Sequence, residues 1–260
     1  MIDKNMAVAT DDKQRFTDKV ILITGASDGI GKATAIQCAK EGATVIIHGK
    51  TTPKLELLYD EIVDAGHTEP VIYPLDLEKI TPQDCETLSD VISKEFGRLD
   101  GMFNNAAWLG ASSPIQQYDT ELWFRVMHIN LNASFMLTQA CLPLLNHGGN
   151  SSIVFTLDDK NTAYWGAYSV SKAGLTALMQ ILADELENSK INVTGLLPGI
   201  VRTAMRTRAF PAEDPTSHST VDEVAQAAAM LLDENGTMIE GEKSHGRIFK
   251  LKQLLSVIDR

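Results

Sequence analysis

The stretch Thr24-Gly25-Ala26-Ser27-Asp28-Gly29-Ile30-Gly31 decides how the rest of the chain is interpreted. An apolar run, residues 20–23, leads into it, and a helix-forming run, residues 32–40, leads out of it. The glycines therefore lie between a strand and a helix, where the backbone can approach a phosphate and free N–H groups favour negative charge. The stretch predicts a dinucleotide-binding site, although its spacing alone leaves a simple glycine-rich turn as the alternative.

Composition narrows the class of protein. The chain has 260 residues, 44% of them hydrophobic, and its apolar runs alternate with helical patterns, which predicts one α/β domain. Its 23 basic and 34 acidic residues give a net charge of −11, which speaks against nucleic acid or an anionic membrane as partner.

The chain also lacks the signals of export and of membrane insertion. No run of roughly 18 apolar residues is present, so we expect no membrane span. We expect residues 1–18 to form an N-terminal tail and not a secretory signal, and the protein to be cytoplasmic. The isolated cysteines and scattered histidines predict neither disulfides nor a metal site.

The end of the second predicted strand, residues 44–48, bears on the choice of cofactor. An acidic residue at this place would bind the ribose 2′-hydroxyl of NAD, whereas a basic residue suits the 2′-phosphate of NADP. Here the sequence continues Gly49-Lys50-Thr51-Thr52, without an acid. This predicts NADP(H), with NAD(H) as the weaker alternative, although Lys50 by itself is equally consistent with a solvated turn.

Two further strand ends carry polar residues. Asp76-Leu77 follow the third predicted strand, residues 70–75, where Asp76 is placed to contact an adenine or, equally, to cap a turn. Asn104-Asn105-Ala106 follow the fourth, residues 99–103, and the small residues leave room for a flat cofactor.

Two helical segments hold candidate catalytic residues. Residues 120–146 form a helix that is apolar nearly all round, which predicts burial on more than one side, and Asn130 in its middle needs hydrogen-bond partners. Tyr168 and Lys172 lie four residues apart, on one face of a later helix, a spacing that also arises by chance.

The last third of the chain begins with a strand, residues 191–197, closed by Pro198-Gly199. Residues 200–220 are predicted to be a mobile lid over the substrate, in which Arg202 and Arg206 present one cationic face or are merely solvated. A helix over residues 221–232, a strand over 246–250 and a C-terminal tail over 251–260 complete the prediction.

Taken together, these motifs resemble a known family. They are, in chain order, Thr24-Gly25-x-x-x-Gly29-Ile30-Gly31, Asn104-Asn105-Ala106, Asn130, Tyr168-x-x-x-Lys172 and Pro198-Gly199. The series resembles the classical short-chain dehydrogenases/reductases, most closely the YciK-like bacterial branch. The resemblance implies a single-domain, Rossmann-type, doubly wound parallel sheet of about seven strands, with helices on both faces, over residues 19–250. It also implies a homodimer or homotetramer packed through the helices that hold Asn130 and Tyr168.

The resemblance further implies roles for individual residues. Tyr168 would be the proton donor, Lys172 would lower its pKa and hold the nicotinamide ribose, and Asn130 would position a water. The residues implied to bind the cofactor are Gly25, Ser27, Asp28, Gly29, Ile30, Gly31, Lys50, Asp76, Leu77, Asn105, Ala106, Tyr168, Lys172, Pro198, Gly199, Ile200 and Thr203.

The chain departs from the family at the substrate site. Family members carry a serine just beyond the fifth strand to bind the substrate carbonyl, and Asp158 stands in that place here. Thr156 lies two residues deeper, so its hydroxyl is an uncertain substitute. The sequence therefore predicts an NADP(H)-dependent oxidoreductase that interconverts a small-molecule carbonyl and an alcohol, with Asp158 in the catalytic set. The alternative is a cofactor-binding sensor or scaffold with little or no turnover.

Overall fold

The computed structural model describes residues 14–233, 238–239 and 242–258. The strands are β1 (Val20–Thr24), β2 (Thr44–Gly49), β3 (Val71–Pro74), β4 (Gly101–Asn104), β5 (Ser151–Thr156), β6 (Ile191–Leu197), β7 (Met238–Ile239), β8 (Glu242–Lys243) and β9 (Ile248–Lys250). Seven of them form one sheet in the order β3-β2-β1-β4-β5-β6-β9, with every neighbouring pair parallel. The predicted seven-stranded parallel sheet is confirmed, and β7 and β8 form a separate antiparallel pair.

Helices cover both faces of the sheet. They are α1 (Gly29–Lys40), α2 (Thr52–Asp64), α3 (Pro82–Phe96), α4 (Thr120–Met127), α5 (Ala133–His147), α6 (Gly166–Glu185), α7 (Ala204–Ala209), α8 (Val221–Leu232) and α9 (Leu251–Ile258). Because side chains alternate along a strand, β1 sends Ile21 and Ile23 into the core under α1, α2, α8 and α9. Val20 and Leu22 enter the opposite core, under α3, α5 and α6. Burial on both faces explains why the central strands are continuously apolar.

The order of the strands places a crevice at the centre of the sheet. The chain runs outward from β1 through β2 to β3, then returns to the other side of β1 with β4. The loops that follow β1 and β4 therefore diverge, and they leave an opening beyond the carboxyl ends of these strands. Most of the predicted site residues after both strands face this opening.

The helix predicted over residues 120–146 is interrupted. A π-helical turn, His128–Asn132, separates α4 from α5 and contains the buried Asn130. Phe124 and Phe135 are 66% and 45% exposed. The expectation that this helix is buried on more than one side is therefore wrong for the single chain.

The folded domain extends beyond both of its predicted bounds. Phe16, in the segment predicted as a tail, is 2% exposed, and its N–H donates to the carbonyl oxygen of Glu41 at 2.8 Å. Residues 1–13 of that predicted tail lie outside the described residues. At the other end, Leu251 and Leu254 of α9 are buried in the core, so residues 251–258 are no tail.

The described helices include none that combines the length and the apolar character needed to cross a bilayer.

Candidate active site

A cavity of about 540 Å³ lies beyond the carboxyl ends of the strands. The predicted site residues that line it are Gly25, Ser27, Asp28, Gly29, Ile30, Lys50, Asp76, Leu77, Asn105, Ala106, Asp158, Tyr168, Lys172, Pro198, Gly199 and Thr203. Gly31, Asn130 and Ile200 are not among the residues that line this cavity. The other predicted site residues come together in this cavity from the ends of several strands.

The glycine turn is built for a close approach of backbone to backbone. Gly25 and Gly29 have φ angles of +67° and +54°, a region that favours glycine. A Cβ atom on Gly25 would lie 2.9 Å from the Cα atom of Ala106, and one on Gly31 would lie 2.3 Å from the carbonyl oxygen of Gly25. Gly31 therefore lets α1 pack closely against the turn. This close packing explains why a glycine is needed at a position that does not line the cavity.

Hydrogen bonds from Thr24 join the ends of β1 and β4. Its hydroxyl oxygen accepts from the N–H groups of Asn105 at 3.0 Å and Ala106 at 3.1 Å. The side-chain amide of Asn105 donates to the carbonyl oxygen of Thr24 at 3.1 Å. Sequence reasoning assigned Thr24 no role of its own, although its position as the last residue of β1 is the signal that points to one.

Carboxylates occupy two predicted cofactor positions. Asp28 caps α1, and its side chain accepts from Gly29 N at 2.7 Å, so it takes up one of the free N–H groups at this helix start. Asp76 accepts from Glu78 N at 3.1 Å, in the turn-capping arrangement that the sequence left open. Both side chains nevertheless line the cavity.

The end of β2 presents cations and a buried histidine. Lys50 and Lys54 both line the cavity, and no acid occurs in β2. Sequence reasoning missed Lys54, which reaches the site from α2 and lies 3.5 Å from Asp28. His48 is 1% exposed, and burial lowers its pKa to about 4, so this imidazole is neutral at physiological pH.

Tyr168 and Lys172 share one buried face of α6, 7% and 2% exposed. The Lys172 ammonium donates to the carbonyl oxygen of Thr156 at 2.7 Å. Burial lowers the pKa of Lys172 to about 8, against an opposing effect of Asp158. Burial, followed by the charge and the hydrogen bond of Asp158, raises the pKa of Tyr168 well above its usual value.

Asp158 is the hydrogen-bond partner of Tyr168. The phenol donates to Asp158 Oδ2 at 3.1 Å, and the N–H of Lys160 donates to Asp158 Oδ1 at 3.0 Å. The hydroxyl of Thr156 instead donates to Asn105 Oδ1 at 3.4 Å. A carboxylate, not a hydroxyl, is therefore the group held beside the phenol.

The side chain of Asn130 is fixed by hydrogen bonds to the Trp108 loop and to α6. Its side-chain oxygen accepts from Trp108 N at 2.7 Å. Its amide nitrogen donates to Trp108 O and to Ser171 Oγ, each at 3.0 Å. Because these contacts occupy the side chain, it joins the π-turn to the Trp108 loop and to α6, and it does not face the cavity.

The segment predicted as a lid is folded around α7. Thr203 caps this helix, and a Cβ atom on Gly29 would lie 3.4 Å from its methyl group, so the segment closes over the glycine turn. Arg206 forms two hydrogen bonds with Glu213, at 2.6 and 2.7 Å, while Arg202 Nε donates to Pro215 O at 3.0 Å. The expected cationic face of Arg202 and Arg206 is therefore wrong.

Aromatic side chains flank the phenol. The Trp165 ring lies 5.6 Å from that of Tyr168 and 5.8 Å from that of Phe210, measured between centroids. Trp165 lines the cavity together with Met205 and Ala209 of the α7 segment. The substrate end of the cavity thus combines apolar walls with the Asp158 carboxylate.

No group of three or more His, Cys, Asp and Glu side chains placed to hold a metal ion occurs within residues 14–233, 238–239 and 242–258.

Comparison with known proteins identifies the family. The model of the short chain dehydrogenase family matches residues 19–214, and the chain belongs to this family of oxidoreductases. It is 40% identical over 223 residues to the uncharacterized oxidoreductase YciK of Escherichia coli, covering 85% of this chain and 88% of the relative. The predicted family and its YciK-like branch are confirmed.

Solved structures agree with this assignment. A short chain dehydrogenase from Shigella flexneri 2a str. 301, complexed with NADP, matches with a TM-score of 0.86 and 37% identity, covering 92% of this chain and 99% of that chain. A short chain dehydrogenase from Escherichia coli CFT073, complexed with NADPH, matches with a TM-score of 0.86 and 39% identity, over the same shares of 92% and 99%.

Proposed function

We propose that this protein is an NADP(H)-dependent oxidoreductase that transfers hydride between the cofactor and the carbon of a small-molecule substrate, with carbonyl and alcohol as the family's ordinary pair. The main support for this proposal is that one cavity extends from the glycine turn and Lys50 to the buried Tyr168 and Lys172. A dinucleotide needs both ends of such a cavity, the first for its phosphates and the second for its nicotinamide.

The residues at the β2 end fit NADP. Lys50 and Lys54 place two cations there, and β2 supplies no acid to bind an unphosphorylated ribose. The NADP and NADPH bound by the two similar structures support the same choice. Ser27, Thr51 and the lysines would hold the adenosine half, and Asn105, Ala106 and Lys172 the nicotinamide half.

In this proposal Tyr168 is the residue that donates the proton. The bound cofactor supplies the hydride, and the phenol donates its proton to the substrate oxygen. Lys172, held by the Thr156 carbonyl, would fix the nicotinamide ribose and stabilise the resulting phenolate. Asn130 would act as a positioning residue, because its bonds to Trp108 and Ser171 fix the loop and helix beside Tyr168.

A second candidate function is favoured by Asp158. A carboxylate cannot donate to a carbonyl oxygen, and its charge opposes the negative charge that develops there. Loss of one such donor typically slows a reaction roughly a hundredfold to a thousandfold. On this basis the alternative is a sensor or scaffold that binds the cofactor with little turnover.

We also propose a cytoplasmic homodimer or homotetramer assembled through α4, α5 and α6. Phe124, Phe135 and Val170, one on each helix, are exposed in the single chain. Burial of such side chains against a second copy would remove apolar surface from water. The three cysteines of the chain are buried free thiols, as suits a reducing compartment.

The test of the proposed function measures binding and turnover side by side. NADPH should bind at least tenfold more tightly than NADH by calorimetry, a difference of about 1.4 kcal/mol. NADPH oxidation is then followed against a panel of aldehydes, ketones and quinones, with Tyr168→Phe as the comparison. Turnover that Tyr168→Phe abolishes supports the enzyme. Binding of NADPH without any turnover supports the sensor, and equal or tighter binding of NADH contradicts the choice of cofactor.

A further inference from the structure

We propose that the preferred substrate of this site is an iminium ion, a protonated C=N group, and that the Asp158 carboxylate binds its positive charge. This inference rests on the proposed hydride-transferring function and names the substrate class that the altered site would take.

The first support is the position of the carboxylate. Asp158 lines the cavity, is half-buried, and accepts from Tyr168 at 3.1 Å and from Lys160 N at 3.0 Å. These two bonds leave one lone pair on each carboxylate oxygen for a ligand. A carboxylate only accepts hydrogen bonds, so it matches the N–H of an iminium ion and repels the oxygen of a carbonyl.

The charged groups around Asp158 are of both signs. Arg206, which lines the cavity from α7, is neutralised by its two bonds to Glu213. Lys172 faces the same space, and although burial lowers its pKa to about 8, it is still mostly protonated at pH 7, with its ammonium held by the carbonyl oxygen of Thr156 at 2.7 Å. Lys160 extends over the Trp165 ring at 5.9 Å, and Arg208 lines the cavity from the end of α7.

The aromatic wall is the second support. Trp165 lines the cavity, and its ring centroid is 5.6 Å from that of Tyr168. The negative face of an indole attracts cations, and the Lys160 ammonium already lies 5.9 Å from the centroid of this ring. The carboxylate and the aromatic rings line the same cavity, a combination suited to a cation with an apolar body.

The reaction balances without a protein acid. Hydride transfer from NADPH forms a C–H bond at the iminium carbon, and the π electron pair of C=N moves to nitrogen. The products are a neutral amine and NADP⁺, and the amine then takes a proton from water. Carbonyl reduction instead needs a proton from Tyr168, and its pKa is raised by burial and then by Asp158. The same carboxylate thus hinders one reaction and assists the other.

The first experiment compares two substrates of matched shape at pH 7, 2-methyl-1-pyrroline and 2-methylcyclopentanone, by NADPH oxidation. We expect kcat/KM for the imine to exceed that for the ketone at least tenfold. Asp158→Asn, which keeps the shape and removes the charge, should lower this ratio at least tenfold. Asp159→Asn, at the neighbouring exposed carboxylate, is the control and should leave the ratio unchanged.

The second experiment needs no turnover. Binding of 2-methylpyrrolidine, a cation at pH 7, and of neutral cyclopentanol to the protein saturated with NADP⁺ is measured by calorimetry. We expect the amine to bind at least tenfold more tightly, and Asp158→Asn to remove the difference while Asp159→Asn retains it. Retained NADP⁺ affinity shows that the variant is folded, and Asp158→Ser provides a second variant with the same expectation.

The outcomes separate this inference from the function on which it rests. Ketone turnover that equals or exceeds imine turnover overturns the iminium proposal and leaves the oxidoreductase in place. Absence of turnover for both substrates, with no preference for the amine, overturns the iminium proposal and supports the sensor. Failure to bind NADPH or NADP⁺ overturns the proposed function itself.

Discussion

The two ends of the cavity are built in different ways. At the cofactor end the shape comes from the backbone, since Gly25 and Gly29 adopt positive φ angles and Thr24 joins β1 to β4 by hydrogen bonds to main-chain groups. At the substrate end the shape comes from side-chain pairs, of Asp158 with Tyr168 and of Arg206 with Glu213. Backbone geometry tolerates few residue types, whereas a side-chain pair can change by one substitution. We therefore expect the cofactor end to tolerate few substitutions and the end that holds Asp158 and Tyr168 to tolerate more.

The largest effect should come from filling the glycine turn. Gly25→Ala places a Cβ atom 2.9 Å from the Cα atom of Ala106, and we expect NADPH affinity to fall at least a hundredfold. Gly66→Ala is the matched control, because Gly66 has a φ of +74° and nothing lies within 4 Å of the position that its Cβ atom would take. Both changes strain the backbone by about 1 kcal/mol, so only the contact differs. Calorimetry should show normal NADPH binding in the control, and equal losses in both variants would show that strain alone is responsible.

The second-largest effect is expected in the rate of ketone reduction when Asp158 is replaced. Asp158→Ser restores a hydroxyl beside Tyr168, and we expect ketone reduction by NADPH to rise about tenfold to a hundredfold in kcat. In the same background, Tyr168→Phe should remove the gain, because the added hydroxyl assists a reaction whose proton comes from the phenol. Steady-state kinetics with a single ketone measures both changes. A fall in ketone turnover on Asp158→Ser would mean that the carboxylate itself takes part in carbonyl reduction.

A third test concerns His48, which is buried at the cofactor end. Both of its ring nitrogens lack a hydrogen-bond partner among the described residues, and burial lowers its pKa from 6.5 to about 4. Between pH 6.5 and pH 4, His48 is therefore more protonated in the unfolded chain than in the folded protein. The free energy of unfolding consequently falls as the pH falls from 6.5 towards 4. From pH 7 to pH 5 this loss amounts to about 2 kcal/mol for His48 alone.

Urea unfolding of the His48→Leu variant at pH 7 and pH 5 measures this contribution. The variant should lose less stability over that interval than the unchanged protein does. His147→Leu, at an exposed histidine, serves as the comparison and should follow the unchanged protein. Equal acid losses in the His48→Leu variant and the unchanged protein would show that His48 is accessible to protons in the fold.

The smallest effect is expected at Arg206, one of the two arginines of α7. Arg206→Ala removes the pair with Glu213, whose side chain is 34% exposed, so stability should fall by about 1 kcal/mol or less. NADPH affinity should stay within about threefold of its original value, since the guanidinium is committed to Glu213 and not to the cofactor. Thermal unfolding and calorimetry measure the two quantities. A tenfold loss of NADPH affinity would show instead that Arg206 contributes to binding of the cofactor.

The sequence by itself determined the sheet and the family, and most of the residues that it predicted for the site line the cavity. Residues 191–197 and 221–232 were predicted with the observed bounds, because apolar periodicity and capping residues are local signals. The glycine turn and the Tyr168 and Lys172 pair were equally readable, since each depends on spacing within one turn or one helix. Asp158 was identified as a departure by its place in the order of motifs.

Only the tertiary structure decided which groups meet. Lys54 and Trp165 reach the cavity from segments whose local patterns carry no sign of a site, and Phe16 and α9 complete a core far from them in sequence. The bonds from Tyr168 to Asp158 and from Arg206 to Glu213 join residues on opposite sides of a loop. Such contacts depend on distances between elements, which composition and periodicity do not encode. The sequence therefore indicated which residues to examine, and the packing of the elements determined which of them can act together.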